Sequence, residues 1–180
     1  MTKILSAIAG LLVCFQASAA QPGEPASADQ GAWSVQFGQG EGNNRLTVNR
    51  ETSPFWVHRF ESSRIELVGE FGVSYWWTRQ QSNPGYHDSV WQISAIPMFR
   101  YWATEKVYVE AGVGATAFSS TKFHDKGIST AFQFGDHIGA GYQLTNNTRI
   151  GMRISHFSNG SIKRPNPGIN NVSLNIAHTF

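Results

Sequence analysis

His156 and Ser158 lie two residues apart and continue the parity of Ile150, Met152 and Ile154. In an extended strand, side chains two apart leave the same face. An imidazole and a hydroxyl therefore stand together on an otherwise apolar surface. Asn170 is in phase with Val172, Leu174 and Ile176 on the following segment, and a hairpin across 159–168 lays residue 170 beside 156–158. A hydroxyl, a base to take its proton and a polar group to orient that base are the parts of a nucleophilic hydrolase. Ionisable residues on a lipid-facing surface are costly and mark function. The same spacing also fits a polar rim where a strand meets lipid headgroups, and spacing alone leaves both readings open.

The elements that must position these residues are strands. Apolar and polar residues alternate over 32–39, 45–57, 64–77, 90–101, 107–117, 132–144, 148–158 and 169–180. Segments of roughly ten alternating residues separated by turns are the signature of a transmembrane β-barrel. The second segment is the least regular, and Pro54 predicts a break or bulge there. The expectation is an all-β fold, an eight-stranded antiparallel transmembrane β-barrel over 32–180. An even strand count returns both termini to the periplasmic side. Turns at 103–106 and 146–147 are then periplasmic, and 78–88, 119–129 and 159–168 are extracellular loops. Tyr75, Trp76, Trp77, Tyr101 and Trp102 fall at strand ends, where interfacial aromatic belts sit. Glu66, Glu70, Arg100, Glu110, Arg149 and Arg153 fall on the opposite parity, as a charged filling for a narrow interior.

A soluble lipocalin-like barrel also alternates, with its apolar face inward. The two ends of the chain favour the membrane. Phe180 closes the last strand as a terminal aromatic, resembling the signal read by the bacterial barrel-assembly machinery. At the other end, Lys3, the apolar run from Ile4 to Phe15 and the small residues Ala17-Ser18-Ala19 read as a signal peptide over 1–19. A short polar lead-in follows over 20–31. The single cysteine, Cys14, lies inside the signal and follows Val13, where a lipoprotein signal needs a small residue. The mature chain thus carries no disulfide framework. About 160 residues remain, enough for one domain. A formal net charge of +2 across 180 residues points to no nucleic-acid partner. The expected location is the bacterial outer membrane.

The stretch from Arg153 to Asn170, RISHFSNGSIKRPNPGIN, adds a resemblance. Its core is His156-Phe157-Ser158-Asn159, followed by Lys163, Pro165-Asn166 and Gly168. It resembles the active-site hairpin of PagL-type lipid A deacylases, which remove the 3-O-linked acyl chain of lipid A. The likeness extends through Glu110 to Lys122 and Phe134 to Gly141, covering the C-terminal half well and the N-terminal half only in layout. It implies Ser158 as nucleophile, His156 as general base and Asn159 at the oxyanion hole. The family's acid, a glutamate, falls at Asn170. An asparagine supplies no charge there, but its carbonyl still accepts from imidazole Nδ1–H. Asp136, a carboxylate among apolar neighbours and opposite His156, is the alternative orienter. A bulge or a lumen salt bridge also accounts for it.

Lys163 and Arg164 flank the site and suit the phosphates of lipid A. They also fit a solvated charged loop. His58, His87, His124, His137 and His178 show no metal-ligand spacing and read as loop or interface residues. A lone site histidine argues against zinc, and no cofactor is implied. The expected partners are lipopolysaccharide and the membrane, with a homodimer as an assembly state. The expected activity is serine-type hydrolysis of the 3-O-acyl ester of lipid A. Two alternatives stand beside it: an acyltransferase passing the chain to another acceptor, and a non-catalytic structural or adhesin-like barrel.

Overall fold

Every segment with alternating polarity is extended in the structure, a computed structural model that describes residues 31–180. The predicted signal peptide and nearly all of the lead-in lie outside the described residues. The strands are β1 (Ala32–Gly40), β2 (Asn43–Glu51), β3 (Trp56–Arg59), β4 (Arg64–Thr78), β5 (Ser89–Trp102) and β6 (Val107–Phe118). They continue as β7 (Lys122–Phe123), β8 (Lys126–Gly127), β9 (Phe132–Gln143), β10 (Thr148–Ser158) and β11 (Ile169–Thr179). The long strands run in the order β2-β1-β11-β10-β9-β6-β5-β4, and β4 pairs again with β2. That last pairing closes a ring of eight antiparallel strands and leaves no open edge to aggregate. Ala32 pairs with Thr179, so the barrel begins and ends at one rim.

The irregular second segment is two strands. β2 ends at Glu51, Thr52 and Phe55 still donate to the β4 carbonyls of Gly69 at 2.8 Å and Leu67 at 3.0 Å, residues 53–54 between them leave the ladder, and β3 then pairs with the first residues of β4. Pro54, which has no amide hydrogen to give a ladder, sits in this interruption.

The barrel is inside-out relative to a soluble one. Phe37, Phe71, Val73, Ile93, Phe99, Val113, Ile138, Met152, Ile154, Val172, Leu174 and Ile176 are all exposed on the outer wall. Gln36, Thr47, Asn49, Ser74, Gln92, Ser155, Asn171 and Ser173 are buried in the interior. Such a wall suits hydrocarbon and not water. It removes the lipocalin-like alternative.

Side chains fill the interior. Arg153 donates from Nη1 to Glu70 at 2.7 Å and from Nη2 to Glu110 at 2.6 Å. Arg100 bonds Glu51 with both terminal nitrogens, at 3.0 and 2.8 Å, and reaches Glu110 from Nε at 3.2 Å. Arg149 shares Glu51 at 2.8 Å. The predicted lumen charges are all inside, and Glu51 and Arg45, from the irregular second segment, join them. Arg45 lies over the rings of Trp76 at 5.3 Å and Phe157 at 5.0 Å. At the rim farthest from the termini, Trp76, Val90, Phe118, Phe123, Ile128, Phe157 and Ile169 form an apolar core inside the barrel. Phe123 and Ile128 come from a small β7–β8 hairpin within the predicted loop 119–129, a hairpin too short for alternation to reveal.

Candidate active site

Phe157 decides where its two neighbours point. It is fully buried, edge-on to Trp76 at 5.6 Å and to Phe118 at 5.9 Å. Strand alternation then sends His156 and Ser158 outward at the end of β10, onto the face of Ile150, Met152 and Ile154. β11 lies antiparallel to β10, and Asn170 is the register partner of His156. Nδ1 of His156 is 2.8 Å from Oδ1 of Asn170. Asn170 is held from behind: its backbone N–H donates to Glu41 Oε2 at 3.1 Å and its Nδ2 to Glu41 Oε1 at 2.9 Å. Lys126 lies 3.5 Å from the same carboxylate.

Gly168, opposite the end of β10, leaves room for the imidazole. Its φ is +68°, and a Cβ there would meet His156 Cε1 at 2.6 Å. Both the backbone conformation and the space demand glycine. Gly168→Ala is expected to lower turnover about tenfold or more by displacing the ring, since roughly 1 Å misplacements cost about a hundredfold. The check is the rate of acyl release at matched folded protein. An unchanged rate would show that the ring position does not matter.

The structure gives Asn159 a different occupation from a side-chain oxyanion donor. Asn159 is fully buried. Its Nδ2 donates to the carbonyls of Ile128 at 3.2 Å and Lys163 at 2.8 Å, and its N–H donates to Asn166 Oδ1 at 3.0 Å. It is the tie between the 159–168 loop and the β7–β8 hairpin. Ser129 and the Pro165 carbonyl make a second bond between the two. A turn follows, closed by Ile162 N–H to Asn159 O at 3.1 Å, with positive φ at Gly160 and Ser161. Among the described residues, the N–H groups of Gly160 and Ser161 make no hydrogen bond.

Asp136 is paired with His156 across β9 and β10 in a continuous register, without a bulge. It is half-buried on the outer face and forms no ion pair among the described residues. Both structural explanations for it, a bulge and a lumen salt bridge, are therefore corrected. It flanks His156 on the side away from Asn170. His137 is corrected as well: it is no loop residue but a buried interior one, 2.8 Å from Ser155 Oγ through Nδ1. The side chains of Lys163 and Arg164 are exposed in the loop beside Ser158. The structure thus gathers His156, Ser158, Asn170 and Asp136 on one outer patch and turns Asn159 inward. Glu41 is the residue that sequence reasoning missed.

Residues 42–179 match the family model for lipid A 3-O-deacylase (PagL). The lipid A deacylase PagL of Bordetella bronchiseptica is 48% identical over 180 residues, covering 99% of this chain and 96% of the relative. The lipid A deacylase PagL of Pseudomonas aeruginosa is 32% identical over 141 residues, covering 76% of this chain and 78% of the relative. The crystal structure of the outer membrane enzyme PagL superposes with a TM-score of 0.71 at 26% identity, covering 83% of this chain and 99% of that one.

Proposed function

This chain belongs to the lipid A 3-O-deacylase (PagL) family, an outer-membrane β-barrel enzyme acting on the 3-O-linked acyl ester of lipid A, and we propose that Ser158 and His156 carry out its chemistry on the barrel's outer wall. The observation that carries this reading is the His156–Asn170 hydrogen bond on the same lipid-facing surface as Ser158. Lipopolysaccharide diffuses sideways in its leaflet, so a site on the outer wall meets its ester without a channel. The filled interior has no part in delivery.

A proton on His156 Nδ1, donated to Asn170, leaves Nε2 as the base. His156 takes the Ser158 proton as Oγ attacks the ester carbonyl, and a tetrahedral oxyanion forms. We assign its stabilisation to the free N–H groups of the turn after Ser158, at Gly160 and Ser161. Asn159 serves that turn by anchoring it. His156 returns its proton to the departing sugar 3-hydroxyl. Water, deprotonated by the same imidazole, then cleaves the acyl-enzyme and releases a free fatty acid. Lys163 and Arg164, beside the site, suit the lipid A phosphates. A homodimer would have to pack on a part of the wall away from this face.

The test is purified, folded protein in vesicles containing lipopolysaccharide, with lipid A masses compared before and after. The expected result is loss of the acyl group at position 3 and recovery of free fatty acid. An unchanged lipid A would overturn the activity. Recovery of the acyl chain on a second lipid would make the protein an acyltransferase.

A further inference from the structure

We infer that Glu41, in the turn between β1 and β2, is a positioning residue for deacylation: through Asn170 it fixes the tautomer of His156 and supplies the charge that Asn170 lacks. This rests on the Ser158–His156 reading above.

The geometry begins at the closure of the barrel. β1 pairs with β11, and Gly40 passes so close that a Cβ there would strike the Asn170 carbonyl oxygen at 2.1 Å. The next residue is Glu41. It holds φ at +48°, followed by Gly42 at +80°. A two-residue hairpin turn of this kind takes Asn or Asp followed by Gly most cheaply. A glutamate accepts the strain here, and its carboxylate spans Asn170, bonding the backbone N–H at 3.1 Å and Nδ2 at 2.9 Å.

The consequence follows from donor and acceptor rules. A carboxylate only accepts. The face of the Asn170 amide toward Glu41 must therefore be its NH2, and the face toward His156 must be its oxygen. That oxygen can only accept, so the proton sits on His156 Nδ1, at 2.8 Å, and Nε2 is left as the base. Glu41 thus sets the amide orientation, and the amide sets the tautomer. When His156 becomes imidazolium, the carboxylate one residue behind stabilises it through the polarised amide.

The carboxyl suits this role. Burial raises its affinity for a proton, but the bonds from Asn170 and the Lys126 ammonium outweigh that and hold it below its ordinary range. It is therefore ionised throughout the range in which a histidine titrates. The other charged groups around His156 are Asp136, paired from β9, Lys126, behind Glu41, and the exposed Lys163 and Arg164 of the 159–168 loop. His124 and Asp125, 3.2 Å apart, stand further out beside Gly42.

The experiment measures acyl release from lipopolysaccharide vesicles against pH at matched folded protein. It compares Glu41→Gln, Asn170→Asp, the double variant Glu41→Gln/Asn170→Asp, Asp136→Asn as a charge control, and Ser158→Ala. Glu41→Gln should lower kcat about tenfold, a fraction of the roughly 10²–10⁴ that positioned acid–base catalysis supplies. It should also move the acid limb of the profile to lower pH, because imidazolium becomes harder to form. Asn170→Asp alone should not gain, since it sets carboxylate against carboxylate and loses the donor to Glu41. The double variant, which moves the charge inward by one residue, should recover much of the loss seen in Glu41→Gln. Asp136→Asn should leave the dependence on Glu41 in place. A wild-type rate and profile in Glu41→Gln would overturn the inference. So would a lowered rate with an unmoved acid limb and no recovery in the double variant, which is what a merely structural contact gives. Full activity in Ser158→Ala would instead overturn the underlying catalytic reading.

Discussion

Ser158→Ala is expected to reduce deacylation of lipid A by at least about 10³-fold, and His156→Ala to do nearly the same. A nucleophile and its base act as one unit, so the double variant should be no slower than either single one. What remains is the residual acceleration from substrate binding and oxyanion donors. Neither change should disturb the barrel. Both side chains lie on the outer face, and the packed anchor between them is Phe157, which is untouched. Surface substitutions of this kind usually shift stability by less than about 0.5 kcal/mol. The readouts are fatty-acid release for activity and mobility of the unboiled protein on gels for folding. Near-normal deacylation in Ser158→Ala would sink the mechanism. Loss of the folded band in either variant would mean that the pair is structural, as the rim reading requires.

The strands and this pair were legible for one reason. Alternation with period two is written locally, so Ile150, Met152 and Ile154 declare a face and His156 and Ser158 break it. Even the Asn170 contact follows from a single hairpin register. Glu41 was not legible, because it sits 129 positions from its partner and arrives only when the first and last strands close the ring. Glu51 was hidden in the segment that Pro54 interrupts, and its two arginines, Arg100 and Arg149, come from strands distant in the chain. The partners of Asn159 were not legible for a related reason. Its neighbourhood in the sequence belongs to a catalytic hairpin, but its side chain is spent on carbonyls of the 119–131 and 159–168 loops. Parity states which wall a strand residue faces and says nothing of a loop residue's partners.

The second large effect lies inside the barrel. Arg153→Met is expected to destabilise the protein by about 3–5 kcal/mol, the usual cost of breaking a buried ion pair from one side. Arg153 is 2% exposed and bonds both Glu70 and Glu110. Glu110 keeps Arg100, at 3.0 Å between Nη2 and Oε2. Glu70 keeps no ion pair among the described residues, so most of the penalty falls on it. Adding Glu70→Gln to Arg153→Met should therefore recover a large part of the lost stability, although it removes a second charged group. The urea midpoint and the temperature at which the compact band disappears on gels measure both variants. A drop below about 0.5 kcal/mol in Arg153→Met would mean that water or neighbouring groups already satisfy Glu70. Activity per folded molecule should hold in both, because β10 turns Arg153 inward and His156 outward. The same alternation that lets one strand carry a plug and a catalytic base keeps the two roles separable: the interior arginine governs how firmly the wall stands, and the outer pair governs what the wall does.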